Sequence, residues 1–197
     1  MMDTVDFRKI QKKLYKKLDS HRYQHTLGVM YTCAALAMVH GVDLGKAQTA
    51  GLLHDCAKCI PNEKKLKLCK KHEIPVTPFE KENPFLIHAK LGAYLARKKY
   101  KVEDEEILSA IRCHTTGKEA MTALEQILFI ADYIEPTRST APHLERLRRL
   151  AFQDLDQCTY EILRDTLTYL RQSPQKIDET TERAYGYYRE RNEKRHG

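Results

Sequence analysis

Histidine and aspartate residues that could hold a metal ion are the most informative feature of the sequence. The chain has nine histidines among 197 residues, and in the segment AGLLHDCAK (residues 50–58) His54 directly precedes Asp55. Five of these nine residues are alanine, leucine or glycine, which predicts a buried helix. A buried carboxylate without a partner is unstable, so the pair requires an explanation. A divalent cation would be sufficient, and a His–Asp hydrogen bond that braces two helices is the structural alternative.

Other segments add potential ligands to this pair. His25 lies on the apolar side of a predicted helix, and Asp132 is an acid inside the apolar run ILFIADYI of residues 127–134. His88 opens a predicted helix after a proline-rich loop, and His114 ends another. Each residue alone is more often a core or cap residue than a ligand. Together they supply several imidazoles and two carboxylates, the mixture expected of a hydrolytic metal site within a helical bundle.

The segments that carry these residues are predicted to be helices, and no stretch shows convincing strand alternation. Ser20 is expected to cap a helix that ends at Gly41, since serine favours helix N-caps and glycine favours C-termini. The prolines within residues 74–83 predict an irregular loop. Further helices are predicted at Ile10–Leu18, after Asp43, from Asn62, over 85–100, over 102–113, after Thr122, from Pro142, from Asp154 to the break at Pro174, and around Tyr185–Tyr188.

Composition limits the class of protein. The formal charge of +7 indicates a basic surface, which is either simply solvated or attractive to an anionic substrate or nucleic acid. We expect nucleic acid not to be a partner. No apolar run reaches the length of a membrane span, so no membrane association is expected. The six cysteines follow no secretory segment, which predicts reduced thiols and a cytoplasmic protein.

The ordered set of His25, the His54-Asp55 pair and Asp132 in an all-helical chain resembles the HD superfamily of metal-dependent phosphohydrolases. A narrower resemblance is to the YqeK family of bacterial HD enzymes. It rests on the phrases RYxHTLGV (22–29), GLLHDxAK (51–58), HA (88–89), HTTG (114–117) and ADYIEPxR (131–138). The resemblance implies an all-α, single-domain bundle of the HD type over residues 1–197. Its core would span about 20–138, with C-terminal helices of residues 142–197 packed on it.

That family cleaves diadenosine tetraphosphate symmetrically into two ADP by means of metal-activated water. The resemblance implies that one divalent metal is bound, with iron favoured and manganese or zinc as alternatives. The implied metal ligands are His25, His54, Asp55 and Asp132. The implied catalytic residues are Asp55, Asp132, Lys58, His88 and His114. The implied substrate-binding residues are Arg22, Asp55, Lys58, His88, His114, Thr115, Asp132 and Arg138. The tail helps cover the nucleotide in that family, a role that residues 175–180 could have here.

Several alternatives stay open at the level of sequence. His88 and His114 could bind a second metal instead of phosphate. The substrate could be another nucleotide, such as a nucleoside monophosphate, a cyclic nucleotide or guanosine tetraphosphate. A non-catalytic helical protein that binds a nucleotide or RNA is an alternative from a different class. A homodimer is plausible from the resemblance.

Overall fold

The structure, a computed structural model, describes residues 6–172 and 176–196. These residues form eleven helices and no strand, which confirms the predicted all-α class. None of these helices is long and apolar enough to cross a bilayer. Their bounds are α1 Phe7–Tyr15, α2 Ser20–His40, α3 Leu44–Leu53, α4 Asn62–Lys71, α5 Pro78–Glu82, α6 His88–Tyr100, α7 Glu105–Cys113, α8 Ala123–Ile134, α9 Leu144–Ala151, α10 Leu155–Leu170 and α11 Glu179–His196.

The N-cap of helix α2 lies one residue before the position that the sequence predicts. Asp19, rather than Ser20, is the N-cap, and its side chain accepts a hydrogen bond from the Arg22 amide at 2.8 Å. Aspartate and serine are similarly good caps, so the sequence alone does not decide between adjacent candidates. The predicted end at Gly41 is confirmed by its left-handed φ of 67°. The first two turns of α2 therefore carry Arg22 and His25.

The stretch of residues 74–83 is not wholly irregular, as the sequence analysis predicted, because it contains α5. Thr77 and Glu80 form a capping box, in which each side chain accepts a hydrogen bond from the other residue's backbone amide. Two satisfied amides at one helix start stabilise even a helix of five residues. Pro78 occupies its first turn, where a missing amide hydrogen does no harm.

Three other helix starts lie later than predicted. α6 begins at His88 rather than residue 85, and α7 begins at Glu105, where Asp104 is the N-cap. α9 begins at Leu144 instead of Pro142, because His143 adopts a left-handed φ of 56°. α10 ends at Leu170, and the predicted break at Pro174 lies outside the described residues.

The core brings the ends of α2, α3, α6, α7 and α8 together. α2 packs along α3 and α8, and α7 packs against α3, α6 and α8. Gly51 allows the close approach of α2 and α3, since a Cβ atom there would lie 2.8 Å from the Cα of Met30. This contact holds the end of α3, with His54 and Asp55 just beyond it, against the helix that carries His25.

The C-terminal helices extend the same bundle. α9 packs on α8 and α10, α10 packs on α8, and α11 packs on α10. The predicted division into a core of residues 20–138 and an added segment of residues 142–197 stays a prediction. Tyr188 of α11 is only 1% exposed, and its hydroxyl accepts a hydrogen bond from the Met121 backbone amide at 2.9 Å. This bond joins the last helix to the turn before α8.

We expect Tyr188→Phe to lower stability without changing the fold. The Met121 amide would lose its acceptor inside the protein, at a cost of about 1–3 kcal/mol. For a chain of this length, that corresponds to a fall of roughly 3–10 °C in the melting temperature. Thermal unfolding followed by circular dichroism measures it, with Tyr169→Phe as control because Tyr169 is 71% exposed. Equal melting temperatures for the two variants would contradict the assigned role of this hydrogen bond.

Candidate metal centre

The four residues predicted as metal ligands converge on one point between α2, α3 and α8. His25 Nε2 lies 2.9 Å from Asp132 Oδ1 and 4.0 Å from Asp55 Oδ2. His54 Nε2 lies 3.5 Å from Asp55 Oδ2 and 3.8 Å from Asp132 Oδ1. His25, His54 and Asp55 are buried, and the Asp132 side chain is 23% exposed. His25, His54 and Asp55 could hold one ion together, and Asp132 Oδ1 lies within 4 Å of both imidazoles beside it.

The hydrogen bonds of four histidines fix which ring nitrogen faces this centre. Each Nδ1 lies within hydrogen-bond distance of an oxygen that can only accept, so in the neutral ring Nδ1 carries the proton and Nε2 keeps a free lone pair. The Nδ1 partners are Glu135 Oε1 for His25 at 3.0 Å, the Gly51 carbonyl for His54 at 2.7 Å, the Phe85 carbonyl for His88 at 2.6 Å and the Ile111 carbonyl for His114 at 2.7 Å.

Several polar atoms at the centre have no hydrogen-bond partner within the described part of the protein. They are the buried atoms His25 Nε2, His54 Nε2 and Asp55 Oδ1. Buried lone pairs without a donor are costly unless something else satisfies them. Imidazole nitrogens and carboxylate oxygens suit a divalent transition metal, so the residues present fit a cation. The arrangement, with the HD domain described below, indicates that the chain binds a divalent metal.

Asp55 faces two groups of ligands at once. Its Oδ2 points to His25 and His54, while its Oδ1 lies 3.2 Å from His88 Nε2 and 3.7 Å from His114 Nε2. His88 and His114 approach each other to 3.2 Å at their Nε2 atoms. Burial lowers the pKa of His88 to about 4, so it is neutral at pH 7. Asp55 with His88 and His114 is thus a second potential cation group.

Cationic and hydroxyl side chains surround the two groups. The Lys58 ammonium and the Thr115 hydroxyl each lie 3.2 Å from His88 Nε2. Arg22 Nη1 lies 2.8 Å from Asp55 Oδ2, and Arg138 Nη2 lies 3.5 Å from Asp132 Oδ1. The structure thus brings together every residue that the sequence analysis placed at the site: Arg22, His25, His54, Asp55, Lys58, His88, His114, Thr115, Asp132 and Arg138.

Both carboxylates at the centre are ionised. Burial opposes their charge, but the neighbouring imidazoles of His54, His114 and His88 hold the pKa of Asp55 well below its usual value. For Asp132, burial is likewise outweighed, mainly by the neighbouring imidazoles of His25 and His54, so its pKa is also lowered. Two ionised carboxylates and neutral imidazoles are the states that metal ligation requires.

The sequence analysis missed Glu135, which supports the centre from behind. Glu135 is fully buried, and besides its contact with His25 Nδ1 it accepts hydrogen bonds from the backbone amide and hydroxyl of Thr137. Burial opposes its charge, but the Thr137 bonds and His25 keep its pKa below the usual value. Gly28 leaves room for this carboxylate, because a Cβ atom there would lie 2.4 Å from Glu135 Oε2. The position of Glu135 at the start of the phrase EPxR (135–138) was the feature of the sequence that could have indicated this role.

A large cleft lies beside this centre. Its volume is about 650 Å³, and it is bordered by Thr115, by residues 77–80 around α5 and by residues 176–180, which lead into the first turn of α11. Volumes of 300–1,000 Å³ are typical of pockets for small organic ligands. Residues 176–180, for which the resemblance implies a role in covering the nucleotide, line its wall, and residue 175 lies outside the described ranges.

Comparison with known proteins agrees with this geometry. The HD domain family matches residues 22–137. A symmetrical bis(5′-nucleosyl)-tetraphosphatase of Bacillus subtilis is 39% identical over 87% of this chain and 91% of its own length. The enzyme of the same name from Halalkalibacterium halodurans is 40% identical over 81% of this chain and 84% of its own length.

A solved structure has the same fold. It is a crystal structure of a predicted HD superfamily hydrolase, described as involved in NAD metabolism, from Clostridium acetobutylicum. It matches with a TM-score of 0.91 and 35% identity, over 96% of this chain and 100% of that chain. The family match covers nine of the ten site residues, and Arg138 directly follows its end. The chain therefore belongs to the HD domain family and, within it, to the YqeK family.

Proposed function

We propose that the protein hydrolyses diadenosine tetraphosphate symmetrically into two ADP. The relatives with this printed activity align over most of the chain. The observation that carries the proposal is the group of buried, partnerless atoms His25 Nε2, His54 Nε2 and Asp55 Oδ1, which faces cationic side chains and opens beside a nucleotide-sized cleft. The partnerless atoms are suited to a metal that promotes hydrolysis of a phosphoric anhydride. The cationic side chains and the cleft are suited to bind its phosphates and nucleoside.

The divalent metal is proposed to be held by His25, His54, Asp55 and Asp132. Iron is the preferred candidate, with manganese and zinc as alternatives, because mixed imidazole and carboxylate ligands accept all three. When bound, the metal would lower the pKa of a water molecule and polarise the phosphorus centre. Glu135 holds the His25 ring so that its free nitrogen faces the ion.

The remaining site residues are proposed to bind the phosphates. Arg22, Lys58 and Arg138 supply positive charge, which a tetraphosphate chain requires on both sides of the bond that breaks. His88 is neutral at pH 7 and faces the site with Nε2, so it can take up a proton there and then donate it in a hydrogen bond to a phosphate oxygen. Lys58, 3.2 Å away, and the Thr115 hydroxyl are the adjacent donors. Asp55 and Asp132 are placed to orient water with a free carboxylate oxygen.

One nucleoside is proposed to lie in the large cleft, between α5 and residues 176–180. A cytoplasmic location is also proposed, because all six cysteines are free and five of them are buried. A homodimer stays a prediction.

A nucleotide panel combined with metal analysis tests the proposed function. Purified protein, prepared anaerobically, is incubated with diadenosine tetraphosphate, a nucleoside monophosphate, a cyclic nucleotide and guanosine tetraphosphate, with and without added iron. We expect ADP as the sole product from diadenosine tetraphosphate, and slower turnover of the others. ATP plus AMP as products would contradict symmetrical cleavage, and ADP binding without any turnover would indicate a non-catalytic protein.

The number of metals per chain is a separate result of the same analysis. We propose one metal, with His88 and His114 on the phosphates. The approach of both imidazoles to Asp55 Oδ1 gives the two-metal alternative a structural basis. One equivalent of metal in the active protein would support the proposal. Two equivalents, with one lost in His88→Ala, would replace it with a two-metal site.

We expect Arg138→Ala mainly to weaken substrate binding. The Arg138 side chain is 44% exposed beside Asp132, so it is accessible to a phosphate. Loss of one charged hydrogen bond at such a site should raise KM about tenfold, with a smaller fall in kcat. Steady-state kinetics measure it, and Arg149→Ala is the control because Arg149 pairs only with Glu145 on the surface. A change in kcat alone, with KM unaltered, would contradict this role.

A further inference from the structure

The first helix carries a dense cluster of positive charge that the proposed activity does not use. The cluster consists of six exposed lysine and arginine side chains, which we call the basic face, and residues 7–17 contain no acid. They form two rows at i, i+4 spacing, in which like charges repel. Within the described ranges, no carboxylate forms an ion pair with any of them, in contrast to Arg97, which pairs with Glu105. The basic face consists of Arg8, Lys9, Lys12, Lys13, Lys16 and Lys17.

Aromatic rings accompany both rows. Tyr15, which is 67% exposed, meets Tyr23 edge to face with ring centroids 5.2 Å apart. These rings line an open groove of about 380 Å³ together with the first row, Arg8, Lys12 and Lys16. An exposed aromatic ring among cations, here Tyr15 with the half-buried Tyr23 behind it, is the chemistry that binds single-stranded nucleic acid, where bases stack and phosphates meet lysine or arginine.

The second row extends the positive surface onto α6. The ammonium groups of Lys13 and Lys17 lie 5.8 Å and 5.6 Å from the centroid of the Tyr100 ring. Lys99 is close enough for its charge to help lower the pKa of Lys17, after the effect of partial burial. Two ammonium groups from α1 and the segment after it therefore lie against Tyr100, and Lys99 of α6 adds a third positive charge near Lys17. A bound polyanion would offset the repulsion between these lysine side chains.

The packing of α1 disfavours a lipid surface as the partner. A basic amphipathic helix binds a membrane by inserting its apolar face. Here Ile10 and Leu14 are 7% and 0% exposed, because that face is already packed into the core. The charges and Tyr15 remain available outside. These exposed cations and the Tyr15 ring suit a flexible polyanion that also carries flat apolar groups.

We propose that the basic face and the Tyr15–Tyr23 groove bind single-stranded nucleic acid. The total charge did not indicate this, and the sequence analysis expected no nucleic-acid partner; the arrangement of the charges is what supports it. The groove shares no lining residue with the metal centre or with the large cleft. Binding is therefore expected to be independent of the proposed hydrolysis.

Fluorescence anisotropy with a 15-nucleotide oligo(U) labelled with fluorescein tests the proposal on the full chain. Affinity is measured between 50 and 200 mM salt for the wild type and for the triple variant Arg8→Gln, Lys12→Gln, Lys16→Gln. For single strands, each phosphate contact contributes about 0.7 to the salt slope, so the triple variant should lose about 2 from it. Tyr15→Ala should weaken binding about tenfold through loss of stacking.

The matched control removes three lysines from another exposed helix face, by Lys64→Gln, Lys67→Gln and Lys71→Gln on α4. It should retain most of the affinity. Hydrolysis of diadenosine tetraphosphate by the same preparations should stay unchanged, which separates this proposal from the proposed function. Absence of oligo(U) binding at 50 mM salt, an equal loss in the α4 control, or displacement of oligo(U) by diadenosine tetraphosphate would each overturn it. So would binding to phosphatidylglycerol vesicles, but not to oligo(U), through the same residues.

Discussion

Asp55→Ala is expected to abolish both metal retention and turnover. Among the residues that the structure describes, Asp55 is the one carboxylate that faces all four imidazoles, through Oδ2 on one side and Oδ1 on the other. Its removal takes away a proposed metal ligand and leaves Arg22 without its partner. Because a catalytic metal stabilises the transition state by several kcal/mol, we expect kcat to fall about 10³-fold or more. Metal analysis and kinetics on the same preparation measure the two losses.

The control for this prediction is Glu103→Gln, which neutralises an exposed acid on the surface. It should keep wild-type metal content and rate. Circular dichroism should show that the Asp55 variant keeps its helices, so that loss of metal is not loss of fold. Full metal content and full rate in the Asp55 variant would refute the ligand assignment.

The sequence was sufficient to predict the centre because its residues break the local pattern. Asp132 interrupts an apolar run in α8, and the His54-Asp55 pair follows an apolar helix. Ionisable groups at such positions need partners, so a shared site was the economical explanation. The structure supplies what the sequence could not, namely that His25 Nε2 and Asp132 Oδ1 lie 2.9 Å apart.

The errors in predicting the fold concern the starts of helices. The sequence analysis predicted Ser20 as the N-cap of α2, but Asp19 precedes it directly, and only the backbone conformation selects between the two residues. The prolines of residues 74–83 favour irregular structure, but the Thr77–Glu80 capping box is sufficient to start the short helix α5 among them. The left-handed φ of His143 was not predicted, since a positive φ is uncommon for any residue other than glycine, even for histidine, which adopts it more often than most.

Glu135 shows a different limit of sequence reasoning. Its phrase EPxR was noticed, but the side chain that the phrase positions was not, because no pattern indicates that an acid beyond the end of α8 turns back towards α2. The contact depends on two local features. The Thr137 amide and hydroxyl orient the carboxylate, and Gly28 leaves it space. Neither feature is visible without coordinates.

Glu135→Gln is expected to lower metal affinity about 10- to 100-fold, as is typical when the partner of a ligating histidine is altered. The carboxylate accepts hydrogen bonds from both His25 and Thr137, and an amide offers only one oxygen for them. One donor must then lose its acceptor, so the His25 ring becomes less well fixed. Titration of the metal-free protein with iron or manganese measures the affinity, and kcat should recover to within about tenfold at saturating metal.

Two glycine variants distinguish this positioning role from a general loss of stability. Gly28→Ala places a Cβ atom 2.4 Å from Glu135 Oε2, and it should reproduce the reduced metal affinity by displacing the carboxylate. Gly186→Ala is the matched control, because its Cβ atom would meet nothing within 4 Å. If Glu135→Gln and Gly28→Ala bind metal as tightly as the Gly186 variant, Glu135 does not orient His25. If excess metal restores the rate of Glu135→Gln and Gly28→Ala, Glu135 does orient His25, because a destabilised fold would not regain its rate in this way.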